Sequence, residues 1–266
     1  LEHIVILRKI APQLLTINQQ GALNGHVPIS AMIAFILVVA GILYDFDVAA
    51  LSNERSANVG NLVQANGLEV NHQYSKSFAF EKDVSNFIQK HVLKHFLYFS
   101  FLRPLSDLGI AKLFSRCHMY HDLFTSCNSA FKLQKGRRIE RWCLDCPKCR
   151  FTFLALAPFI QRKKLIQIFG KNLLNDMSQK PGYQELLGIS GHKPFECVGE
   201  IEESRAAFIL LNKLPDWNND LLIKYFREDV LAQIENPDRL IDIVFKISNE
   251  HLLPKRFQGF LFKNTP

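Results

Sequence analysis

At 266 residues the chain has room for one large or two small domains, and its 48% hydrophobic and 21% charged content supports a packed core and excludes bulk disorder. A net charge of +7 points to anionic partners: nucleic acid, nucleotides or multiply charged metabolites. The opening is neither a signal nor a transit peptide, and the most apolar run, Ala31 to Tyr44, falls short of the roughly 20 residues a membrane span needs. That run is read as a buried helix, and the protein as cytoplasmic with no membrane partner.

Ile4 to Leu7 reads as a short buried strand, followed by a helix that Pro12 opens and Gly21 ends. The polar turn Leu23 to Pro28 precedes the apolar helix, with Ser30 as its expected N-cap. Val48 to Leu51 reads as a strand, and the polar loop Ser52 to Asn61 leaves its carboxyl end. Parallel sheets place ligands at that end, which makes Asn53, Glu54 and Arg55 binding candidates. Glu69 to Ser77 gathers a histidine, hydroxyls and a lysine ahead of a helix from Phe78 to Val92. A strand Phe96 to Ser100 then leads to Arg103, which can meet an anion or form a surface ion pair, and to a helix capped by Ser106. The alternation of helix, strand and polar loop predicts an α/β sheet.

Lys132, Lys135, Arg137, Arg138 and Arg141 form a basic stretch with few aromatic residues to stack bases, which disfavours nucleic acid. Next come Cys143, Cys146 and Cys149 in a C-x2-C-x2-C knuckle, with Cys127 upstream. Four thiolates at this spacing suit a closed tetrahedral structural site, with zinc expected and an iron–sulfur centre as the alternative. Cys117 and Cys197 are read as buried small hydrophobes. A helix is expected from Cys149 to Ala157, then shorter helices punctuated by Gly170 and Gly182. Gly188 to Glu200 reads as a binding loop carrying His192, Lys193 and Glu196. Glu200, Glu202 and Glu203 complement the dipole of the next helix, and a helical tail starts at about Leu214.

No Ser-His-Asp order, metalloprotease motif or dinucleotide glycine fingerprint appears. Five collinear motifs nevertheless carry a resemblance: Asn24-Gly25-His26-Val27-Pro28, Ser52 to Ala57, Asn71 to Ser77, Trp142 to Arg150, and Gly191 to Ser204. Together they resemble the UDP-N-acetyl-α-D-muramoyl-L-alanyl-L-glutamate epimerase family of bacterial cell-wall synthesis, across roughly residues 1 to 212. More distantly, the knuckle and strand order are similar to the 7-cyano-7-deazaguanine synthase group of ATP pyrophosphatases.

The resemblance implies an α/β parallel sheet of ATP-pyrophosphatase (PP-loop) type, with a cysteine zinc knuckle and a helical C-terminal region. The expected division is an epimerase portion over 1–213 and a packed helical tail over 214–266. The class's S-G-G-x-D-S-like phosphate loop is not found, so the sheet is expected to be N-terminally incomplete and the chain a carboxyl-terminal portion. The implied chemistry is ATP- and Mg2+-dependent inversion of the terminal L-Glu of UDP-MurNAc-L-Ala-L-Glu to D-Glu, through an acyl adenylate, in peptidoglycan precursor synthesis. Acid/base candidates are His72, Tyr74, Lys76 and His26. Candidates for substrate or nucleotide binding are Asn24, Asn53, Glu54, Arg55, Arg103, His192, Lys193 and Glu196. ATP-dependent amidation of the deazaguanine type and a zinc-stabilised nucleic-acid-binding module are the alternatives.

Overall fold

The computed structural model describes residues 3–9, 11–22, 28–60, 62–63, 67, 69–132, 136, 138–191 and 193–263. Helix α1 spans Pro12–Gln19 and α2 spans Ile29–Tyr44. Strand β1 (Val48–Leu51) follows, then the two-residue strands β2 (Leu62–Val63) and β3 (Glu69–Val70), helix α3 (Phe78–His91) and strand β4 (Leu97–Ser100). The rest is helical: α4 (Asp107–Phe114), α5 (Pro147–Leu156), α6 (Arg162–Phe169), α7 (Lys180–Leu186), α8 (Ile201–Asn212), α9 (Leu221–Tyr225), α10 (Pro237–Phe245) and α11 (Lys255–Phe262).

The α/β expectation holds on a small scale. Strands β1 and β4 pair in parallel, from Val48 against Leu97 to Leu51 against Ser100, while β2 and β3 form a separate antiparallel pair. Side chains of the parallel pair alternate between two layers. Ala49, Phe96 and Tyr98 pack with Ala34 and Val38 of α2 and Val84 and Ile88 of α3. Phe99 and its neighbours Val48 and Leu97 pack instead with Leu253 and Leu261 near α11. Cover on both faces explains why these strands read as continuous apolar runs. Helix α3 starts where Ser77 Oγ accepts the Phe80 N–H at 3.2 Å, and it buries Glu81, Val84, Ser85 and Ile88 along one face.

A second core joins α4 to the helical half. Leu108 and Ala111 pack with Phe153, Leu154, Leu165, Phe169, Phe208 and Leu211. The tail from residue 214 shares this core through Trp217, Leu222, Ile223, Phe226, Val230 and Val244. Arg162 lies over the Trp217 ring and pairs with Asp220 at 2.7 Å, which ties α6 to the start of α9.

Four local expectations are corrected. Ile4 to Leu7 form no strand and are largely exposed, because no described strand lies alongside to pair their backbone. Ser30 does not cap α2; the helix starts at Ile29 after Pro28, with no side-chain cap bond. Helix α2 is buried only along Ala34, Val38, Ala40 and Gly41, while Phe35, Val39, Ile42 and Leu43 stay exposed. Gly182 lies inside α7 rather than between helices, and a Cβ there would fall 2.5 Å from the Arg150 guanidinium. No helix among the described residues is long and apolar enough to cross a membrane.

Candidate active site

Two groups of chemistry-bearing side chains stand out. The first is the cysteine centre. Leu144 takes a left-handed backbone (φ 64°), which turns the chain between Cys143 and Cys146. Pro147 then opens α5, with Cys146 as its N-cap accepting the Cys149 N–H at 3.4 Å. Cys127 Sγ accepts the Cys143 N–H at 3.4 Å, which docks the distal cysteine onto the knuckle. All four sulfurs lie within 4.8 Å of one another, with Cys127–Cys146 at 3.9 Å and Cys143–Cys149 at 3.8 Å. Thiolates held at roughly 2.3 Å by one tetrahedral ion are about 3.8 Å apart, so the donor set fits a single tetrahedral ion. Among the described residues it is the one group of metal-ligating side chains that converges this closely.

The electrostatics point the same way. Donation by Cys149 pulls the Cys146 thiol down to about 4, whereas Cys149 is pushed up, first by that same hydrogen bond and then by burial. Four sulfurs in so small a space cannot all ionise unless a cation offsets their charge. Trp142 covers the knuckle, stacked on Phe169 at 4.2 Å.

The second group lies at the carboxyl ends of β1 and β4. Arg103 is fully buried and knits the loops there together. It donates to Glu54 O (2.7 Å), Asn58 Oδ1 (3.2 Å), Ser100 Oγ (3.4 Å), the carbonyl of Lys76 and the Glu81 carboxylate (3.1 Å). Its ion pair with Glu81 is buried, not the surface pair expected as the alternative to an anion site. Arg55 donates to the carbonyls of Val244 and Lys246, and Asn53 to Ser100 Oγ at 3.0 Å. These two side chains likewise hold the scaffold.

A carboxylate group backs this loop. Ser56 Oγ donates to Asp107 Oδ2 at 2.5 Å. Burial, then the Glu54 charge, pushes Asp107 up to about 7, against the opposing pull of Ser56 and Lys193. Glu203 accepts the Leu108 N–H at 2.7 Å on one oxygen and the Glu200 N–H at 3.4 Å on the other, so one carboxylate serves the starts of both α4 and α8. Burial and then Asp107 raise its pKa well above the usual range.

Beyond this scaffold is a cavity of about 620 Å³, within the size range of small-molecule sites, lined by Pro28 to Ala31, Asn71 to Lys76, Phe80 and Cys197. His72, Tyr74 and Lys76 all reach it. Lys76 Nζ donates to Cys197 Sγ at 3.5 Å, and the same sulfur lies 3.9 Å from His72 Nε2. The His72 ring packs on Phe195, centroids 4.6 Å apart. Loop 193–199 therefore serves both groups: Cys197 turns to the cavity, while Glu196 is raised by burial and by the nearby Cys146 charge. His26, Asn24 and His192 lie outside the described residues.

Comparison with known proteins was decisive. The MurL N-terminal domain family matches residues 1–101 and the MurL C-terminal domain family matches residues 123–240. A Xanthomonas oryzae pv. oryzae protein named UDP-N-acetyl-alpha-D-muramoyl-L-alanyl-L-glutamate epimerase is 44% identical over 247 residues, which is 93% of this chain and 54% of the relative. Proteins of the same name from a Micromonospora species and from Salinispora tropica are each 48% identical, over 82% and 80% of the chain and 48% and 46% of their own lengths. The chain belongs to this epimerase family. It spans about half the length of the curated relatives it matches. No solved structure matches it.

For this member of the epimerase family, residue-by-residue reading missed Cys197, Asp107 and Glu203 as parts of the site. Cys197 is half-buried beside a cation rather than packed as a small hydrophobe, because its loop, not a helix face, carries it. Cys117 is exposed. The signal for Cys197 was its position within the glycine-bounded segment that also holds Lys193 and Glu196.

Proposed function

We propose that this chain acts in the ATP- and Mg2+-dependent inversion of the terminal L-Glu of UDP-MurNAc-L-Ala-L-Glu to D-Glu, a step of peptidoglycan precursor synthesis. The observation that carries the reading is 44% identity to a named epimerase over 93% of the chain. The cavity beside His72, Tyr74 and Lys76 supports it, since acid/base side chains are what inversion requires.

A free carboxylate opposes loss of the α-proton, because a second negative charge would build beside the first. Adenylation of the carboxyl removes that charge and acidifies the α-carbon. One group then takes the proton, another returns one to the opposite face, and hydrolysis frees the product. His72, Tyr74 and Lys76 are the described acid/base groups for this exchange. Glu54, Lys193 and Glu196 are the remaining described binding candidates. We assign the PP-loop fold class and cytoplasmic location to the protein on the same family reading. No described carboxylate set converges as the four cysteines do, so Mg2+ is assigned to the ATP phosphates, the usual way it reaches such sites. Zinc is assigned to Cys127, Cys143, Cys146 and Cys149 as a structural ion; the short sulfur–sulfur separations favour one ion over a cluster.

The test is incubation of the chain with UDP-MurNAc-L-Ala-L-Glu, ATP and Mg2+ in deuterated water, followed by chiral analysis of glutamate. The Xanthomonas relative runs in parallel. D-Glu carrying α-deuterium, with AMP released, is the expected result. Activity of the relative without exchange or AMP from this chain overturns the reading.

A further inference from the structure

Building on the epimerase reading, we propose that Cys197 is itself an acid/base group of the inversion, its sulfur held by Lys76 and set beside His72. Three independent features converge on its sulfur. Lys76 Nζ donates to it at 3.5 Å, which fixes the sulfur against a group that can carry a proton. His72 Nε2 lies 3.9 Å away, with its ring braced against Phe195. The sulfur faces the 620 Å³ cavity rather than apolar packing. A second, smaller cavity of about 260 Å³ opens on Cys197 from the side of Asp107, Lys148 and Thr152, so the thiol stands where two spaces meet.

Gln73 of the same wall is buried and lines the larger cavity. Lys76 is fixed for its part: its N–H donates to Gln73 O at 2.7 Å, and Arg103 donates to its carbonyl.

The step balances without an oxidant or reductant. The thiolate takes the α-proton of the acyl adenylate and becomes S–H. The C–H electron pair moves onto the activated carbonyl, giving an enolate. A second group protonates the opposite face of the α-carbon, the pair returns from oxygen, and the Cys197 proton passes to solvent. In the reverse direction Cys197 donates.

The experiment compares the unsubstituted chain with Cys197→Ala and Cys197→Ser, following inversion, AMP release and α-deuterium uptake from each dipeptide diastereomer separately. Inversion is expected to fall about 100-fold or more, the scale of a lost general base. AMP release continues, and deuterium enters from one diastereomer only, because the opposed group still exchanges the proton it faces. Loss of exchange from both diastereomers together with loss of AMP release overturns the proposal in favour of a structural role, as does inversion within a fewfold of the unsubstituted chain. Cys117→Ser, at an exposed position, is expected to leave inversion unchanged.

If the unsubstituted chain fails to invert, the epimerase reading falls, and the thiol is tested by itself. Iodoacetamide labelling of the Cys197 peptide at one fixed pH is expected to slow several-fold in Lys76→Met while labelling of the Cys117 peptide stays the same. An unchanged Cys197 rate in Lys76→Met overturns the assignment.

Discussion

The sulfurs of Cys127, Cys143, Cys146 and Cys149 face one another, whereas the sulfur of Cys197 faces a lysine, a histidine and open space. The first arrangement is closed. Two of its members are fully buried, and a tetrahedral ion held by all four would have no position left for a substrate. The second is open, with one thiol, a neighbouring cation and a cavity. The same residue type thus converges on its own kind in one place and meets a cation and a cavity in the other, and the surroundings decide which. Loop 193–199 joins the two, since Glu196 feels the Cys146 charge while the next residue lines the cavity.

The largest expected effect breaks the closed site. Cys146→Ser removes one of four ligands and the N-cap of α5 together. Metal binding to such a set is coupled to folding, so the loss is expected to reach several kcal/mol and to lower the melting temperature by roughly 10 °C or more. Metal content measured beside the melt checks it: retention of a full equivalent with unchanged melting means the ligand set is wrong. Cys197→Ala, by contrast, is expected to melt normally and keep its metal, which is the sharpest statement of the contrast.

Arg103→Met attacks the scaffold of the open site. It leaves the buried Glu81 carboxylate without its cation and removes donors from Glu54 and Lys76. Breaking a buried pair by removing one partner costs about 3–5 kcal/mol. A denaturant midpoint within 1 kcal/mol of the parent would show that Glu81 is relieved in some other way. A smaller effect tests the joining loop. Gly199 packs so closely on Phe151 of α5 that a Cβ would collide with the ring. Gly199→Ala is expected to cost about 1–3 kcal/mol, the usual penalty of overpacking. Because Phe151 is in the helix that carries Cys149, the change should loosen metal retention as well as stability, measurable as faster metal loss to a chelator.

These contrasts also explain what the sequence made legible. The convergence of the four sulfurs was readable because Cys143, Cys146 and Cys149 sit three residues apart, a spacing that is itself local. Strands β1 and β4, with their polar loops, were readable from apolar runs ending in Asn, Ser and Arg. Cys197 was not, since the residues that define its surroundings, His72 and Lys76, are more than a hundred positions away and only the fold brings them together. Arg103 and Arg55 drew attention as cations near strand ends; the fold buries Arg103 against Glu81 and sets Arg55 on the carbonyls of Val244 and Lys246, contacts that spacing does not announce. Helix α2 misled in another way: an all-apolar sequence predicts burial on every side, and only the side facing the sheet has cover among the described residues.

The smallest effect is a pH slope on the far side of Cys197, where Asp107 lines the smaller cavity. Burial, followed by the charge of Glu54, lifts Asp107 from 3.8 to about 7. A carboxyl with a raised folded-state pKa holds a proton that the unfolded chain gives up. Its contribution to stability is therefore complete below about pH 4, is lost as pH rises towards 7, and is flat above. Asp107→Asn keeps the shape and removes the titration. The difference in stability between the two proteins isolates this group, because every other titrating residue is common to both. From pH 4 to pH 7 that difference is expected to move in favour of the Asn variant by about 1–2 kcal/mol. The full shift is not expected, since Glu203 beside it shares the charge. Denaturant unfolding at several pH values reads the difference directly. Movement in favour of the parent would mean that Asp107 is ionised and paired in the folded protein, and that Lys193 and Ser56, rather than burial, govern this side of the thiol.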